Sequence, residues 1–240
     1  MTESEFLGSS AIESVADRVT ADIRRAILAG RLRPGQELTL RTLAAQLRVS
    51  YIPVREAMRS LAAEGLLVIR PGRSALVPRL EAEELRAVSR LRRLVEPELA
   101  TRHRTGVDEA HLDLLSVRWE RCASWSRGPD EHYQEFHAIY LALLSTSVPH
   151  WEMGVARMLC HTLERYLRNG VSDHDGSPGP PNALLAALGE LIATARTGDL
   201  VATRTKVAEF VDLGGQIAWD GLPLAAAPPG WPTRSPGPAS

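Results

Sequence analysis

The chain has almost no lysine. Its 28 basic residues include only Lys206, so the other 27 are arginines. Because arginine dominates both halves, the imbalance reads first as a coding bias toward GC-rich codons. Cysteine is scarce as well. Cys122 and Cys160 stand alone, which excludes a disulfide scaffold and predicts two buried, inert thiols. No run of about 18 apolar residues occurs, so no membrane-spanning helix is expected. The acidic start Met1-Thr-Glu-Ser-Glu5 lacks the basic and apolar regions of a secretory signal, and a cytoplasmic location is expected. Gly-rich phosphate loops, Gly-x-Ser-x-Gly and His-Glu-x-x-His are all missing, and no enzyme is expected.

A strong net charge is also missing, since the formal total is −1. That total hides a segregation. Residues 11 to 80 carry 12 arginines against 6 acidic residues, whereas residues 81 to 240 carry 16 basic against 21 acidic residues. A basic N-terminal module on an acidic body suits a polyanion, because phosphate attraction needs local rather than overall positive charge.

Residues 39 to 73 concentrate the local signals. Thr39 is a candidate N-cap, and Leu40, Leu43, Ala44 and Leu47 follow at helical spacing. Ser50 is a second candidate N-cap, Pro53 falls in the tolerant first turn, and Val54, Met58 and Leu61 continue an apolar face to a stop at Gly65. Leu66 to Ile69 and Ala75 to Val77 read as two strands around the Pro71-Gly72 turn. Two short helices followed by a hairpin make a winged helix-turn-helix. Upstream, Ser10-Ala-Ile-Glu13 has the form of a capping box, predicting a helix to about Ala29 with Val15, Val19, Ile23 and Ile27 inward.

Ile27-Leu-Ala-Gly-Arg-Leu-Arg-Pro-Gly-Gln-Glu-Leu38, Val49-Ser50, Pro53-Val-Arg-Glu-Ala-Met58, Leu61 and Glu64-Gly-Leu66 together resemble the DNA-binding domain of GntR-family transcription regulators, over roughly residues 12 to 78. Arg90-Leu-Arg-Arg-Leu-Val-Glu-Pro-Glu-Leu-Ala100, Phe136-His137 with Leu141, and Gly198-Asp199 resemble more loosely the FCD effector domain of the FadR subfamily. The expected organisation is a disordered N-terminus over 1–9, the winged helix-turn-helix over 10–79, an antiparallel all-α bundle over 82–219, and a Pro-rich disordered tail over 220–240. Helices are expected near 81–104, 108–126, 130–146, 150–168, 182–197 and 199–218, and the fold class is mostly α.

The resemblance implies a homodimer whose recognition helices read a pseudo-palindromic double-stranded operator. Tyr51, Ile52 and Arg55 are assigned to base edges with Arg59 one turn on. Thr39, Arg41, Ser50 and Pro53 complete the helical contacts, and Gly72 and Arg73 would reach the duplex from the wing tip. Arg55 matches the strongest family position and can hold guanine with two hydrogen bonds, the alternative being a pair with Glu56 or Glu64. Three residues depart from the family: Arg48 stands where glycine is common, Tyr51 where Arg or Lys is usual, and Ile52 where a small polar residue is usual.

The resemblance further implies a small-molecule effector in the bundle and a metal held by one Asp and three His. Those four positions fall on Tyr133, His137, Leu188 and Phe210. Leu and Phe cannot ligate, so no cofactor is expected at the family position. A divalent metal relocated to His137 and His161 is the alternative. The effector candidates are Arg92, Tyr133, His137, His161 and Phe210, with an apolar or carboxylate-bearing ligand in view. Arg92 could anchor a carboxylate or pair with Glu96 one turn away. The leading function is a ligand-responsive transcriptional repressor. The competing one is a DNA-binding regulator or architectural protein that has lost sensing.

Overall fold

The computed structural model describes residues 14–70, 74–102, 108–125, 128–145, 149–170 and 179–222, and its chain divides into two compact units meeting at Arg79 and Leu80. The first unit contains α1 (Val15–Leu28), β1 (Glu37–Thr39), α2 (Leu40–Leu47), α3 (Tyr51–Ala63), β2 (Val68–Arg70) and β3 (Ser74–Leu76). Its core joins Val19, Ile23 and Ile27 of α1 to Leu43 of α2 and to Val54, Met58 and Leu61 of α3. The stripe read from the sequence is therefore the packing face. Val15 is the exception, 49% exposed beside a cleft of about 510 Å³ shared with Val49, Ile52 and Pro53.

Capping sets where these helices begin. The described part of α1 opens at Val15 rather than after Ser10. Ser14 Oγ accepts from Asp17 N–H at 3.0 Å and Asp17 Oδ2 accepts from Ser14 N–H at 3.2 Å, a reciprocal box with Asp in the usual Glu place. Residues 10–13 lie outside the described residues. Thr39 caps α2 as expected, its Oγ1 accepting from Thr42 N–H at 3.1 Å. Ser50 does not fulfil its expected role. It holds the extended N-cap backbone, yet its side chain makes no cap hydrogen bond. Gly65 takes φ +75° after α3, the left-handed stop that glycine provides without a Cβ clash.

The wing is a three-stranded antiparallel sheet in the order β1-β3-β2. Leu38 pairs with Ala75 on one side of β3, and Ile69 pairs with Ala75 on the other. The hairpin strands begin and end within two residues of their predicted places. The β1 strand was not legible, because three residues with one buried side chain carry no alternating pattern.

The second unit, among the described residues, is all helix: α4 (Ala82–Arg102), α5 (Glu109–Ala123), α6 (Pro129–Leu144), α7 (His150–Gly170), α8 (Asn182–Arg196) and α9 (Leu200–Asp220). Asp108 and Asp199 cap α5 and α9, accepting from His111 N–H at 3.0 Å and Ala202 N–H at 2.9 Å. α4 runs antiparallel to α9, with Ser89 against Gly215 and Glu98 paired to Arg204 at 2.9 Å. The core is built from Leu85, Leu112, Leu115, Ile139, Leu163, Leu188, Leu191 and Val207 with Phe136, Tyr140 and Phe210. α5 and α8 approach closely at Gly189, where an added Cβ would lie 2.5 Å from Trp119. The Trp119 indole fixes that contact by donating to the Leu185 carbonyl at 2.8 Å.

Cys122 and Cys160 are both free and buried. Burial pushes the Cys122 thiol up to about 11. Burial and then the neighbouring Glu96 carboxylate raise Cys160 as well. Both are thus protonated, unreactive thiols near neutral pH. No described helix is long and apolar enough to cross a membrane.

Candidate functional site

The first unit gathers three of its arginines around one groove. Arg55 and Arg59, one turn apart on α3, share a groove of about 280 Å³ with Arg70 and Ser74 of the wing, floored by Leu40 and Met58. Arg41, Arg55, Arg59 and Arg70 are exposed, and none of them forms an ion pair among the described residues. Of the two predicted competitors for Arg55, Glu64 is engaged elsewhere and Glu56 forms no ion pair with it among the described residues. Glu64 receives a bidentate pair from Arg24 of α1, at 2.9 Å from Nε and 2.6 Å from Nη2. Unneutralised guanidinium groups flanking a recognition helix are what phosphates and guanine edges require.

At the head of the same helix Tyr51 is 54% and Ile52 66% exposed. An apolar pair this open costs solubility unless something covers it, and thymine methyl groups offer such a surface. Thr39 and Ser50 are exposed nearby, and Pro53 is half-buried. Gly72 and Arg73 lie outside the described residues. Arg70, which sequence reasoning passed over, faces the groove from the end of β2; its place opposite Arg55 depends on a sheet register that no local pattern announces.

The turn between α2 and α3 is unusual. Arg48 adopts φ +54°, ψ +44° and is the sole non-glycine with positive φ among the described residues. The N–H groups of Arg48 and Val49 both return to the Ala44 carbonyl, which fixes this left-handed backbone. For a residue with a Cβ that conformation costs roughly 1–2 kcal/mol.

In the second unit Tyr133, His137, Phe210 and Arg92 are linked by a run of ring contacts. The Tyr133 and His137 rings lie 6.3 Å apart, Phe136 sits 5.3 Å from His137 and 6.1 Å from Phe210, and Phe210 stacks on Tyr140 at 4.5 Å. The Arg92 guanidinium follows, 5.9 Å from the Tyr140 ring centroid. His161 is half-buried on α7, three residues before Glu164 on the same helix.

The polar groups in this cluster satisfy one another. Arg92 donates to Glu96 from Nε at 2.7 Å and from Nη2 at 2.9 Å. Tyr140 Oη also donates to Glu96. Burial weakens the Arg92 charge, but Glu96 more than offsets this and holds the guanidinium pKa above its ordinary value. Of the two roles read for Arg92, the ion pair with Glu96 is the one present.

A second chain of contacts runs from His137, whose Nδ1 lies 2.7 Å from Glu164 Oε2. Arg168 donates to Glu164 Oε1 at 3.1 Å, pairs with Asp130, and stands 4.8 Å over the Tyr133 ring. Burial opposes ionisation of Glu164, yet His137 and Arg168 outweigh it and keep the carboxyl below the usual range.

A metal does not fit the four family positions. Leu188 and Phe210 offer no donor atom, and His137 is committed to Glu164. Among the described residues no group of three or more His, Cys, Asp or Glu side chains is placed to hold a metal ion. Glu164 and Arg168 were invisible as partners in the sequence, since 27 residues separate Glu164 from His137.

Comparison with known proteins agrees with this architecture. Residues 15–77 match the family model described as bacterial regulatory proteins, gntR family. The HTH-type transcriptional regulator McbR of Escherichia coli K12 is 32% identical over 105 residues, 42% of this chain and 48% of McbR. The HTH-type transcriptional repressor RspR of the same organism is 31% identical over 132 residues, 53% of this chain and 58% of RspR. The chain thus spans about half the length of the curated relatives it matches. The solved structure of E. coli McbR/YncC shares the fold over 86% of this chain and 97% of its own, with a TM-score of 0.69 at 23% identity. The match over α1 to β3 shows that the first unit is similar to the winged helix-turn-helix of the gntR family of bacterial regulatory proteins, and the McbR/YncC structure shows that the fold of the chain is shared.

Proposed function

We propose that the chain is a sequence-specific, DNA-binding transcriptional regulator, acting in the cytoplasm as a homodimer on a pseudo-palindromic operator. The observation that carries this reading is the groove of Arg55, Arg59 and Arg70, free of ion pairs among the described residues, beside the exposed Tyr51 and Ile52. Arg55 takes a guanine through two hydrogen bonds, Tyr51 and Ile52 pack on a thymine methyl, and Arg41 with Arg59 and Arg70 neutralise phosphates. Repression is the sign we assign, in line with the name of the relative RspR. The regulator reading is preferred to an enzyme because the chemistry-bearing groups of the helical unit are closed into internal pairs.

Each arginine on a phosphate displaces condensed counterions, so binding to duplex DNA should weaken steeply with salt. A dimer making 6–10 phosphate contacts loses about 10³–10⁵ in affinity between 50 and 200 mM salt. Fluorescence anisotropy on a labelled duplex measures this directly. Weak, salt-insensitive binding would rule out the proposed docking.

For the helical unit we propose a small, largely apolar effector held among Tyr133, His137, His161 and Phe210, near Arg92. The aromatic lining favours apolar matter, and Glu96 already occupies the fork that a carboxylate would need. The same ion pair favours a second reading, in which sensing has been lost and the cluster serves only packing. Thermal shift separates them. Stabilisation by an apolar metabolite supports sensing, whereas indifference to apolar compounds, carboxylates and acyl thioesters supports its loss. Under either reading, zinc, nickel and EDTA leave the midpoint unchanged, because two of the four implied metal positions, Leu188 and Phe210, have no donor atom and His137 is held by Glu164.

A further inference from the structure

Arg48 occupies a backbone conformation that glycine would accept without strain, and this cost needs a return. Among the described residues no side-chain partner supplies one. The side chain is exposed and makes no ion pair among the described residues, so its guanidinium stabilises nothing that would balance the left-handed φ. Its position is fixed, however. Two hydrogen bonds to the Ala44 carbonyl hold the turn, and Ser50 and the head of α3 follow two residues later. The adjoining Ser50 hydroxyl is free of a capping role.

We infer that Arg48 is a DNA-backbone contact, its guanidinium meeting a phosphate beside the groove that α3 enters, at the expense of fold stability. The inference rests on the DNA-binding reading and adds a residue to it. Other occupants of the turn would behave differently. Glycine or asparagine relieves the strain and removes the charge, whereas lysine keeps both. A phosphate contact carries no base information, so its loss lowers affinity equally for all sequences.

The full chain and its Arg48→Gly, Arg48→Asn and Arg48→Lys variants are compared on two labelled duplexes. One is recovered by selection with the wild-type chain from a randomised library, and the other is a mixed sequence of equal length. Arg48→Gly should raise the thermal midpoint of the first unit by on the order of 4–8 °C. It should also lower the slope of log affinity against log salt by about 0.9 per arginine removed, so roughly 1.8 for a dimer, on both duplexes alike. Arg48→Asn should follow it, and Arg48→Lys should keep the wild-type slope.

Stabilisation with an unchanged slope overturns the inference, as does a fall in slope confined to the selected duplex. A glycine variant no more stable than wild type overturns its premise of strain. If the wild-type chain binds neither duplex, the DNA-binding reading fails first and this contact falls with it, an outcome visible before any variant is compared.

Discussion

Arg55→Ala should remove specific operator binding while leaving the fold and the oligomer unchanged. The guanidinium lies in the groove between α3 and the wing, with no ion pair among the described residues, so its removal costs the unit little. Exposed substitutions of this kind fall within about 0.5 kcal/mol of neutral. On DNA the loss is large. A bidentate guanine contact contributes about 1–3 kcal/mol of discrimination at each half-site, so two half-sites give roughly 2–6 kcal/mol. The variant should therefore bind selected and mixed-sequence duplexes with nearly equal affinity, and its thermal midpoint and elution volume should match wild type. Arg41→Ala should likewise weaken binding, through lost phosphate contact. An Arg55→Ala chain that still prefers the selected duplex would mean that α3 is docked differently.

The second large effect belongs to the helical unit. Arg92 is 3% and Glu96 0% exposed, and Glu96 accepts from Arg92 twice and from Tyr140. Glu96→Met would strand a buried guanidinium and leave the Tyr140 hydroxyl without its acceptor. Breaking one side of such a pair costs about 3–5 kcal/mol, a drop in midpoint on the order of 10 °C for a unit of this size. Replacing both partners by apolar residues of similar length, Arg92→Met with Glu96→Met, should recover most of that loss, because no uncompensated charge is left behind. Circular dichroism melts of the two single variants and the double variant measure the coupling. If Arg92 were reserved for a ligand, Arg92→Met alone would leave stability unchanged, and the cycle would show no coupling.

What could be read from the sequence follows from the range of each interaction. The helices from α4 to α9 were predicted to within three residues at either end, because apolar periodicity and caps such as Asp199 are local signals. The start of α1 was misplaced because Ser10-x-x-Glu13 and Ser14-x-x-Asp17 have the same form, and both can precede the same apolar stripe. Ser50 was read correctly as an N-cap position and wrongly as a cap, since the pattern fixes backbone and not hydroxyl orientation.

The site divides in the same way. Arg55 and Arg59 were legible from helix position, whereas Arg70 depends on the pairing of β2 with β3. Arg48 was noticed as an oddity, but only φ +54° gives it a physical cost. In the helical unit the i, i+4 spacing of Arg92 and Glu96 left two roles open, and burial decided between them. Glu64 was considered as a partner for Arg55 because both lie on or next to α3. The bond to Arg24 spans 40 residues, and no local rule anticipates it.

The central claim is that the exposed head of α3 reads DNA, with Tyr51 and Ile52 altering the recognition that the resemblance to the gntR family would imply. Selection of duplexes from a randomised library by the full-length chain, followed by sequencing, tests it most directly. The account predicts a short pseudo-palindrome with a guanine for Arg55 in each half-site and a thymine where the usual family half-site is met by Arg or Lys at the position of Tyr51. Recovery of the ordinary family motif would contradict the roles given to Tyr51 and Ile52, and no enrichment of any sequence would contradict the reading as a whole.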